Sequence, residues 1–255
     1  MVPAKRRRLI VELITDRGGC SVTDLAAEMD CSAATIRRDL DHLANRNLIE
    51  RSHGGAVPAT AVGNEQTHGQ KELQNLEGKR HIAQAALTEL QDGQVVLFDA
   101  GSTTMQIAHA LSEDRSFIGV TNSPVLALEL GSPCDTVQLT GGSMRQPTRA
   151  LVGPTAERFV EQRTFDVLFL GTNGIDPSSG LMTPNEEEAR LKGLMIDNAT
   201  KVVLTADITK LGKQSFIRFA EISDLDVFIT DGELATGARE PFESAGVEVI
   251  DGLRA

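Results

Sequence analysis

Two adjacent arginines, Arg37 and Arg38, lie where their side chains can do recognition chemistry. They interrupt an apolar repeat of Ile36, Leu40 and Leu43 at positions i, i+4 and i+7, which predicts a helix with one buried face. A turn of about 100° per residue directs Arg38 away from that face, with Arg37 beside it. Such a guanidinium can bind a phosphate or donate two hydrogen bonds to guanine O6 and N7. A solvated surface helix is the alternative, and the sequence does not decide which arginine would contact a base.

The segment before this helix completes a DNA-reading layout. Apolar residues recur at helical spacing over residues 22–29, and Ser21 with Asp24 three positions later forms an acidic variant of the capping box. Ser32 is a second N-cap, so a tight turn separates two short helices. In a helix-turn-helix, the N-terminal residues of the second helix reach base edges in the major groove. The DNA contacts predicted on it are Ser32, Ala34, Thr35, Arg37 and Arg38.

A basic hairpin pattern follows at residues 48–56, in the place of a wing. Two apolar residues at its start can anchor it to the core, and the Gly54-Gly55 pair permits the positive φ of a tight turn. Arg51 and His53 then lie where a wing contacts the sugar-phosphate backbone, and we predict both as DNA contacts. An ordinary exposed histidine is the alternative for His53.

A basic cluster at residues 5–8 precedes a third helical pattern, whose apolar stripe includes Ile10 and Ile14. The cluster could contact phosphate or simply solvate the start of the helix. Both interpretations stay open at this point.

The net charge of −11 divides unevenly along the chain. Through residue 58, nine Lys and Arg residues stand against eight Asp and Glu, whereas the remainder carries 16 against 28. Phosphate contact is local, so a few clustered arginines suffice for DNA binding in an acidic protein. The acidic remainder is not expected to touch DNA. Few lysines, seven of the 25 basic residues, and abundant carboxylates also suit a salt-rich cytoplasm.

Several protein classes are excluded by what the composition lacks. The chain has no apolar run of 18 residues and no apolar stretch typical of a signal peptide, so we expect a cytoplasmic protein without a membrane partner. The three cysteines form no CxxC pair, so we expect reduced thiols, and we predict neither a metal site nor a cofactor. At 40% hydrophobic residues, 255 residues can form a small domain plus a larger one.

The motif TIRRDL at residues 35–40, followed by RSHGGA at residues 51–56, resembles the DeoR family of bacterial and archaeal transcriptional regulators. The resemblance implies a winged helix-turn-helix joined to a C-terminal sensor of phosphorylated sugars or polyols. The stretch 56–79 is similar to haloarchaeal members of that family. We therefore predict a DNA-binding domain at residues 1–58, a polar linker at 59–75 and an effector-binding domain at 76–255.

Beyond the linker, short apolar runs typical of buried strands alternate with amphipathic helical patterns. This alternation predicts an α/β domain with a largely parallel sheet. The strand-like runs are 95–98, 117–120, 136–139, 167–170, 202–204, 227–229 and 247–250, and helix-like runs include 104–111, 125–130 and 187–199.

Small, hydroxyl-rich loops follow five of these strands. Ligands of parallel sheets bind at the carboxyl ends of the strands, and a loop that opens a helix offers N–H groups to an anion. One such loop is usually structural, but five in succession favour a polar anion pocket. The effector-binding residues predicted from these loops are Asp99, Gly101, Ser102, Thr103, Thr104, Thr121, Asn122, Ser123, Gly141, Gly142, Arg145, Gly171, Gly174, Asp207 and Lys210.

Within this set, hydroxyls and cations suit phosphate, whereas carboxylates and amides suit sugar hydroxyls. We assign phosphate to residues 102–104, with Lys210 or Arg145 neutralising its charge. A surface ion pair of little consequence is the alternative for Asp207 and Lys210. The side chains assigned to ligand hydroxyls are Asp99, Asn122 and Asp207.

The loops DAGSTT, TNSP, TGGSMR, FLGTNGI, TPNEEEARLKGLMI and ADITKLG resemble the sensor domain of the same family, which in turn resembles ribose-5-phosphate isomerase. On that pattern Glu188 and Lys192 join the predicted pocket. An isomerase with an accessory DNA-binding domain is the rival hypothesis, but it needs a general base. The loop at residues 171–174 has no acidic residue, and Asp176 lies only beyond it, so we predict binding without turnover. An architectural DNA-binding protein would not need such a pocket.

Together these observations predict a transcriptional regulator, and more specifically a repressor of carbohydrate or glycerol catabolism genes. Its predicted partners are double-stranded operator DNA and a phosphorylated sugar or polyol effector. We expect a homo-oligomer, dimer or tetramer, that places recognition helices about 34 Å or a multiple apart on repeated half-sites. Effector binding would shift the population toward release from DNA.

Overall fold

A computed structural model of the protein, which describes residues 2–17, 19–46, 48–52, 54–58, 66–112, 115–131, 134 and 136–252, divides the chain between Gln74 and Asn75. The first unit contains helices and a small antiparallel sheet with strand order β1-β3-β2. Its elements are α1 (Pro3–Arg17), β1 (Cys20–Ser21), α2 (Val22–Glu28), α3 (Ala33–Ala44), β2 (Ile49–Ser52), β3 (Gly55–Pro58) and α4 (His68–Leu73).

The predicted apolar stripes of α1, α2 and α3 converge on one core. Ile10, Leu25, Ile36 and Leu40 are fully buried there. The predicted caps are also present, since Ser21 Oγ accepts a hydrogen bond from the Asp24 N–H and Ser32 caps α3. Helices α2 and α3 with the β2–β3 hairpin form a winged helix-turn-helix, as the sequence predicted.

Part of the segment predicted as a polar linker is helical. Thr67 and Gln70 form a reciprocal capping box at the start of α4. Leu73, at the end of this helix, packs against the core of the first unit. The cap and this single apolar contact order a sequence that lacks sustained apolar periodicity. Residues 59–65 of the predicted linker lie outside the described residues.

The second unit is built on a seven-stranded sheet with order β15-β14-β12-β9-β4-β5-β6, in which every neighbouring pair is parallel. Each of the seven predicted runs corresponds to one of these strands, although β5 and β15 begin one residue later than predicted. Their bounds are β4 (Val95–Phe98), β5 (Ile118–Thr121), β6 (Thr136–Leu139), β9 (Phe165–Leu170), β12 (Ala199–Thr205), β14 (Val227–Ile229) and β15 (Glu248–Ile250).

The helices of this unit connect successive strands, which confirms the predicted α/β class. Two of them, α8 and α10, were not among the helix-like runs named from the sequence, although Ala156 and Val160 give α8 a buried face at helical spacing. The helices are α5 (Leu76–Ala86), α6 (Ser102–Ala110), α7 (Pro124–Leu130), α8 (Pro154–Glu161), α9 (Glu186–Asp197) and α10 (Thr236–Ser244).

The loops that connect the strands of the parallel sheet contain short antiparallel strands. One hairpin pairs β7 (Ser143–Met144) with β8 (Leu151–Val152) after the edge strand β6. A second small sheet has order β10-β11-β13, formed by β10 (Gly174–Asp176), β11 (Gly180–Thr183) and β13 (Ile217–Ala220). Single turns of 3₁₀ helix follow α5, β12 and β13, at Leu87–Glu89, Ile208–Lys210 and Ile222–Asp224.

The strand order reverses between β4 and β9, because the chain first extends the sheet through β5 and β6 and then returns. Open α/β sheets bind ligands at the carboxyl ends of the strands beside such a switch point. The core covers both faces of the sheet, with Leu97 and Leu168 on one face and Phe98 and Phe169 on the other. Within the described chain, no helix is long and apolar enough to cross a membrane.

Gly142 gives a test of this loop architecture. Its φ of +112° excludes ordinary side chains, and a Cβ there would lie 2.5 Å from the Val152 carbonyl oxygen. We expect Gly142→Ala to lower the free energy of unfolding by about 2–4 kcal/mol, from strain and collision together. Gly141→Ala is the matched control: its φ of +71° is left-handed but its Cβ would meet only Thr155 Cγ2, at 3.4 Å.

The control should lose about 1–2 kcal/mol, the ordinary cost of a left-handed residue. Urea unfolding followed by far-ultraviolet circular dichroism measures both variants. Equal losses would show that contact with Val152 does not constrain the hairpin.

Candidate DNA-binding surface and sensor site

Helix α3 presents its polar face outward, as predicted. Ala34, Arg37, Arg38 and Asp41 are exposed, whereas Ile36 on the opposite face is fully buried. Among the described residues, neither Arg37 nor Arg38 has a side-chain partner in the protein. The two guanidiniums are therefore available to an external anion or base edge.

The N-terminus of α3 is ordered by its own side chains. Ser32 Oγ accepts a hydrogen bond from the Thr35 N–H at 3.2 Å and lies 2.9 Å from Thr35 Oγ1. Both hydroxyls thus serve the cap while remaining at the end of the helix that a helix-turn-helix points into the groove.

The wing is the β2–β3 hairpin, with Gly54 at a φ of +85°. Gly55 lies so close to β1 that a Cβ would be 2.2 Å from the Cys20 carbonyl oxygen. Arg51 lies on this wing, and its Nε is 3.4 Å from Asp41 Oδ1 of α3. The predicted DNA contact His53 lies outside the residues that the structure describes.

The basic cluster at the start of α1 has a structural partner that the sequence analysis missed. Arg6 Nε and Arg7 Nε bind the two oxygens of Asp39, at 2.6 and 2.7 Å, and Asp39 is only 2% exposed. Burial alone would raise the pKa of Asp39, but the two arginines outweigh it and hold the pKa below its usual range. Arg8 pairs with Glu12 of its own helix. The sequence held one sign of this pairing, because the charged Asp39 lies beside Leu40 on the apolar face of α3.

At the switch point of the sheet, a buried ion pair joins two neighbouring strand ends. The Asp99 carboxylate after β4 accepts a hydrogen bond from the Gly171 N–H after β9 at 3.0 Å. Lys192 of α9 pairs with Asp99 and donates to the Gly171 carbonyl oxygen at 3.0 Å. Burial raises the pKa of Asp99, while Lys192 and Gly171 oppose that rise.

Helix α6 begins three residues after Asp99, at Ser102, and offers donors at its N-terminus. The Ser102 and Thr103 hydroxyls have no hydrogen-bond partner within the described chain, and the N–H groups of the first turn lack intrahelical acceptors. Thr104 differs, because its hydroxyl is bonded to the Asp99 and Gly101 carbonyl oxygens, at 2.7 and 2.9 Å. Thr104 therefore stabilises the loop, contrary to its assignment as a phosphate donor.

The loop after β5 braces this turn. Asn122 Oδ1 accepts a hydrogen bond from the Ala100 N–H at 2.7 Å, and the Asn122 amide nitrogen has no partner among the described residues. Thr121 and Ser123 are occupied locally: Thr121 Oγ1 accepts from the Ser123 N–H, and Ser123 Oγ caps α7. Both hydroxyl oxygens therefore act as acceptors within the loop, whereas the Asn122 amide nitrogen is a donor that no described group uses.

The two remaining loop cations have opposite environments. Arg145 is bound to Glu188 of α9, with Nη1 2.5 Å from Oε1. Lys210 after β12 has no ion pair or hydrogen bond from its ammonium to the described chain, and burial lowers its pKa against the opposing Asp207 carboxylate. Asp207 itself is bound to Thr209, where it caps the 3₁₀ turn. The structure thus leaves Lys210 rather than Arg145 free to neutralise a phosphate.

Three predicted glycines act through the backbone. Gly141 and Gly142 form the turn into β7 with positive φ, and a Cβ on Gly174 would lie 2.3 Å from the Lys213 carbonyl oxygen. Their role is to permit these loop conformations. No cluster of three metal-ligating side chains occurs among the residues described.

A winged helix-turn-helix followed by a polar site at the switch point of an α/β unit defines a DNA-binding regulator with a sensor domain. Family comparison agrees: residues 6–62 match the DeoR-like helix-turn-helix domain, and residues 74–232 match the DeoR C-terminal sensor domain. The chain belongs to the DeoR family of transcriptional regulators.

Individual relatives support the same assignment. The chain is similar to the HTH-type transcriptional regulator GlpR of the haloarchaeon Haloferax volcanii, at 59% identity over 99% of each chain. It is also similar to the glycerol-3-phosphate regulon repressor of Escherichia coli, at 33% identity over 91% of this chain and 92% of the relative. These relatives are regulators, which confirms that the chain is a regulator and not an enzyme.

A solved structure of ribose 5-phosphate isomerase from Methanocaldococcus jannaschii aligns with 55% of this chain and 56% of its own. The TM-score is 0.41 and the sequence identity 19%.

The Asp39 ion pairs predict a specific pH dependence. Because its folded pKa is depressed, Asp39 stabilises the first unit above the unfolded pKa of about 3.9, and this contribution is lost as pH falls through the folded value. Asp39→Asn should therefore cost about 3–5 kcal/mol at pH 7 by leaving Arg6 and Arg7 without their carboxylate.

Hydrogen exchange of α1 and α3 peptides, compared between wild type and variant, measures this loss. The difference should shrink below pH 4, where the wild-type carboxyl begins to bind a proton. Asp41→Asn, an exposed change on the same helix, is the control. A difference independent of pH would contradict the ion-pair explanation.

Proposed function

We propose that the protein represses genes of carbohydrate or glycerol catabolism and that a phosphorylated sugar or polyol, bound at the carboxyl edge of the sheet, releases it from operator DNA. Recognition would use α3 and the wing. The effector would bind beside the switch point, between the start of α6 and Lys210. Action in the cytoplasm and assembly into a dimer or tetramer are parts of this proposal.

The observation that carries the proposal is the presence of free anion donors at the carboxyl ends of two strands that are separated by a single strand. The α6 N-terminus follows β4, and Lys210 follows β12, with only β9 between them. Two strand spacings separate these loops by about 10 Å, a gap that a lysine side chain and a phosphate can span. The helix dipole and a desolvated ammonium both favour a dianion there.

The neighbouring groups suit the rest of a sugar or polyol phosphate. The Ser102 and Thr103 hydroxyls can donate to phosphate oxygens, and the Asn122 amide can donate to a hydroxyl oxygen. The Asp99 and Asp207 carboxylates, assigned to hydroxyls, already accept hydrogen bonds, but each carboxylate has capacity for more than one. The name of the E. coli relative, a glycerol-3-phosphate regulon repressor, supports a polyol phosphate as one candidate.

Binding of the protein to its own promoter region, with and without a panel of sugar and polyol phosphates, tests the proposal. Specific binding that one phosphate releases would support both the repressor and its effector. Specific binding that no phosphate changes would refute effector control by this class of ligand. Unphosphorylated glycerol and fructose are the matched controls for the phosphate requirement.

Arg38→Ala tests the orientation of the recognition helix. Loss of a guanidinium that binds a base or phosphate should weaken operator binding about 5- to 150-fold, equivalent to about 1–3 kcal/mol. Effector affinity should not change, since Arg38 lies in the other unit. Fluorescence anisotropy with labelled promoter DNA and calorimetry with the effector measure the two properties. Normal operator affinity would show that α3 presents a different face to DNA.

Lys210→Ala tests the phosphate site. Without this ammonium, effector affinity should fall at least about 10-fold, as expected for loss of a charge-assisted hydrogen bond. The variant should still bind operator DNA but resist release by the effector. Lys213→Ala, an exposed lysine three residues away, is the matched control. Unchanged release by Lys210→Ala would remove this residue from the phosphate site.

A further inference from the structure

Asp231, which follows β14, binds two segments that are distant from each other in the chain. Its Oδ1 accepts a hydrogen bond from the Ile208 N–H at 2.9 Å, and its Oδ2 accepts one from Asn75 Nδ2 at 2.7 Å. Ile208 begins the 3₁₀ turn that ends at Lys210. Asn75 is the first residue of the second unit and immediately precedes α5. One carboxylate therefore joins the turn that carries Lys210 to the residue at which the chain enters this unit.

Two glycines let these segments approach closely. A Cβ on Gly78, in the first turn of α5, would lie 2.1 Å from Asp231 Oδ2. A Cβ on Gly232 would lie 2.6 Å from Ile208 Cδ1. Gly78 is within a helix and has no positive φ, so what its position requires is the lack of a side chain. The start of α5, the loop after β14 and the 3₁₀ turn are thus packed directly against one another.

The backbone of Asn75 has the left-handed conformation, with φ of 45° and ψ of 47°. Its side chain forms no capping hydrogen bond on α5, although asparagine is a favoured N-cap, and its amide instead binds Asp231. A sparsely populated backbone conformation persists where its surroundings hold it, and residues at the ends of elements can absorb large changes in φ and ψ. Asn75 therefore has the conformation and the position of a hinge where the chain passes from the first unit into the second.

We propose that the contacts of Asp231 with Asn75 and Ile208 form a latch, which holds the operator-binding conformation and which effector binding opens. The inference rests on the proposed function and deepens it, because it names the residues through which the phosphate site acts on the chain between the two units. While the latch is closed, Asn75 stays left-handed. When the latch opens, residue 75 can adopt another conformation, and the path of the chain between the units changes.

The 3₁₀ turn connects the latch to the phosphate site. It spans only three residues, and its other two N–H groups bond to Asp207: the Thr209 N–H to the carboxylate at 3.1 Å and the Lys210 N–H to the carbonyl oxygen at 2.9 Å. In the latch mechanism, a phosphate draws the Lys210 ammonium toward the start of α6, and the turn moves with it as a unit. The Ile208 N–H then leaves Asp231. The effector thus binds the open state better than the closed state, which is the requirement for a ligand to shift a conformational equilibrium.

Neutral substitutions of Asn75 test the latch without changing the charge near the phosphate site. Asn75→Gly removes the hydrogen bond to Asp231 but tolerates the left-handed conformation, whereas Asn75→Ala removes the bond and also disfavours that conformation. Loss of a contact that favours the closed state raises the population that the effector binds. We expect full-length Asn75→Ala to bind the effector about tenfold more tightly than wild type, and Asn75→Gly about threefold more tightly.

Glycerol 3-phosphate and fructose 1-phosphate are the probes, and calorimetry measures their affinity. Anisotropy of labelled promoter DNA measures operator affinity without probe and the probe concentration that releases half of the DNA. The latch predicts tighter probe binding, release at a correspondingly lower probe concentration, and operator affinity equal to or below that of wild type. A misfolded variant would bind both partners more weakly, and loss of a ligand contact would weaken probe binding.

Gly78→Ala opens the latch by an independent route. Its Cβ would displace the Asp231 carboxylate, while alanine favours the helical backbone of α5. We expect its probe affinity to rise as in Asn75→Ala. Gly237→Ala is the matched control, because Gly237 is also helical and no atom lies within 4 Å of its Cβ position. Both affinities of this control should stay within about twofold of wild type.

The outcomes distinguish this inference from the proposed function. If neither probe binds the wild type, these phosphates are not its effectors, and the inference fails with that assignment. If a probe binds the wild type and releases it from DNA, but Asn75→Ala and Gly78→Ala bind that probe equally or more weakly, the latch is overturned while the proposed function stands. Operator affinity above that of wild type in these variants would also overturn the latch.

Discussion

The ion pair between Lys192 and Asp99 is the interaction on which the sensor site depends. Strands β4 and β9 are neighbours in the sheet although distant in the chain, and apart from Lys192 their two loops are joined by backbone pairing and by the Gly171 N–H bond to Asp99. The Lys192 ammonium neutralises a carboxylate that burial would otherwise disfavour, and it holds the Gly171 carbonyl in the same contact. Because α6 begins three residues after Asp99, this contact also fixes where its free N–H groups lie.

A buried carboxylate that binds cations from another element occurs in both units, in the helix-turn-helix and at the sensor site. Asp39 of α3 binds two arginines of α1. Glu188 of α9 binds Arg145, which lies between β7 and β8. Each pair satisfies charges that the interior would not tolerate alone. Arg37, Arg38 and Lys210 have no carboxylate partner among the described residues and are available to an external anion.

The sequence predicted the helices and strands better than it predicted the hydrogen-bond and ion-pair partners of the side chains. Continuous apolar runs gave all seven strands of the parallel sheet, since burial on both faces leaves a strong signal. The positions of the strand ends predicted which loops form the site. They did not predict which group each side chain of those loops binds. Thr104, Arg145 and Thr121 have types suited to phosphate or sugar, yet their polar atoms are bound within the protein. The pairing of Arg145 with Glu188 joins residues 43 positions apart and leaves no local pattern in the sequence.

Ion pairs within the first unit limit the number of cations that can contribute electrostatically to DNA binding. Of the basic residues described through residue 58, only Lys5, Arg37, Arg38 and Arg46 have no carboxylate partner there. Since each phosphate contact contributes about 0.9 to the salt slope of binding, few free cations mean a small counterion-release term. In the proposed dimer or tetramer, specific affinity would then come from base contacts of α3 and from two or more copies binding together, so the proposed effector would act on the geometry between recognition helices.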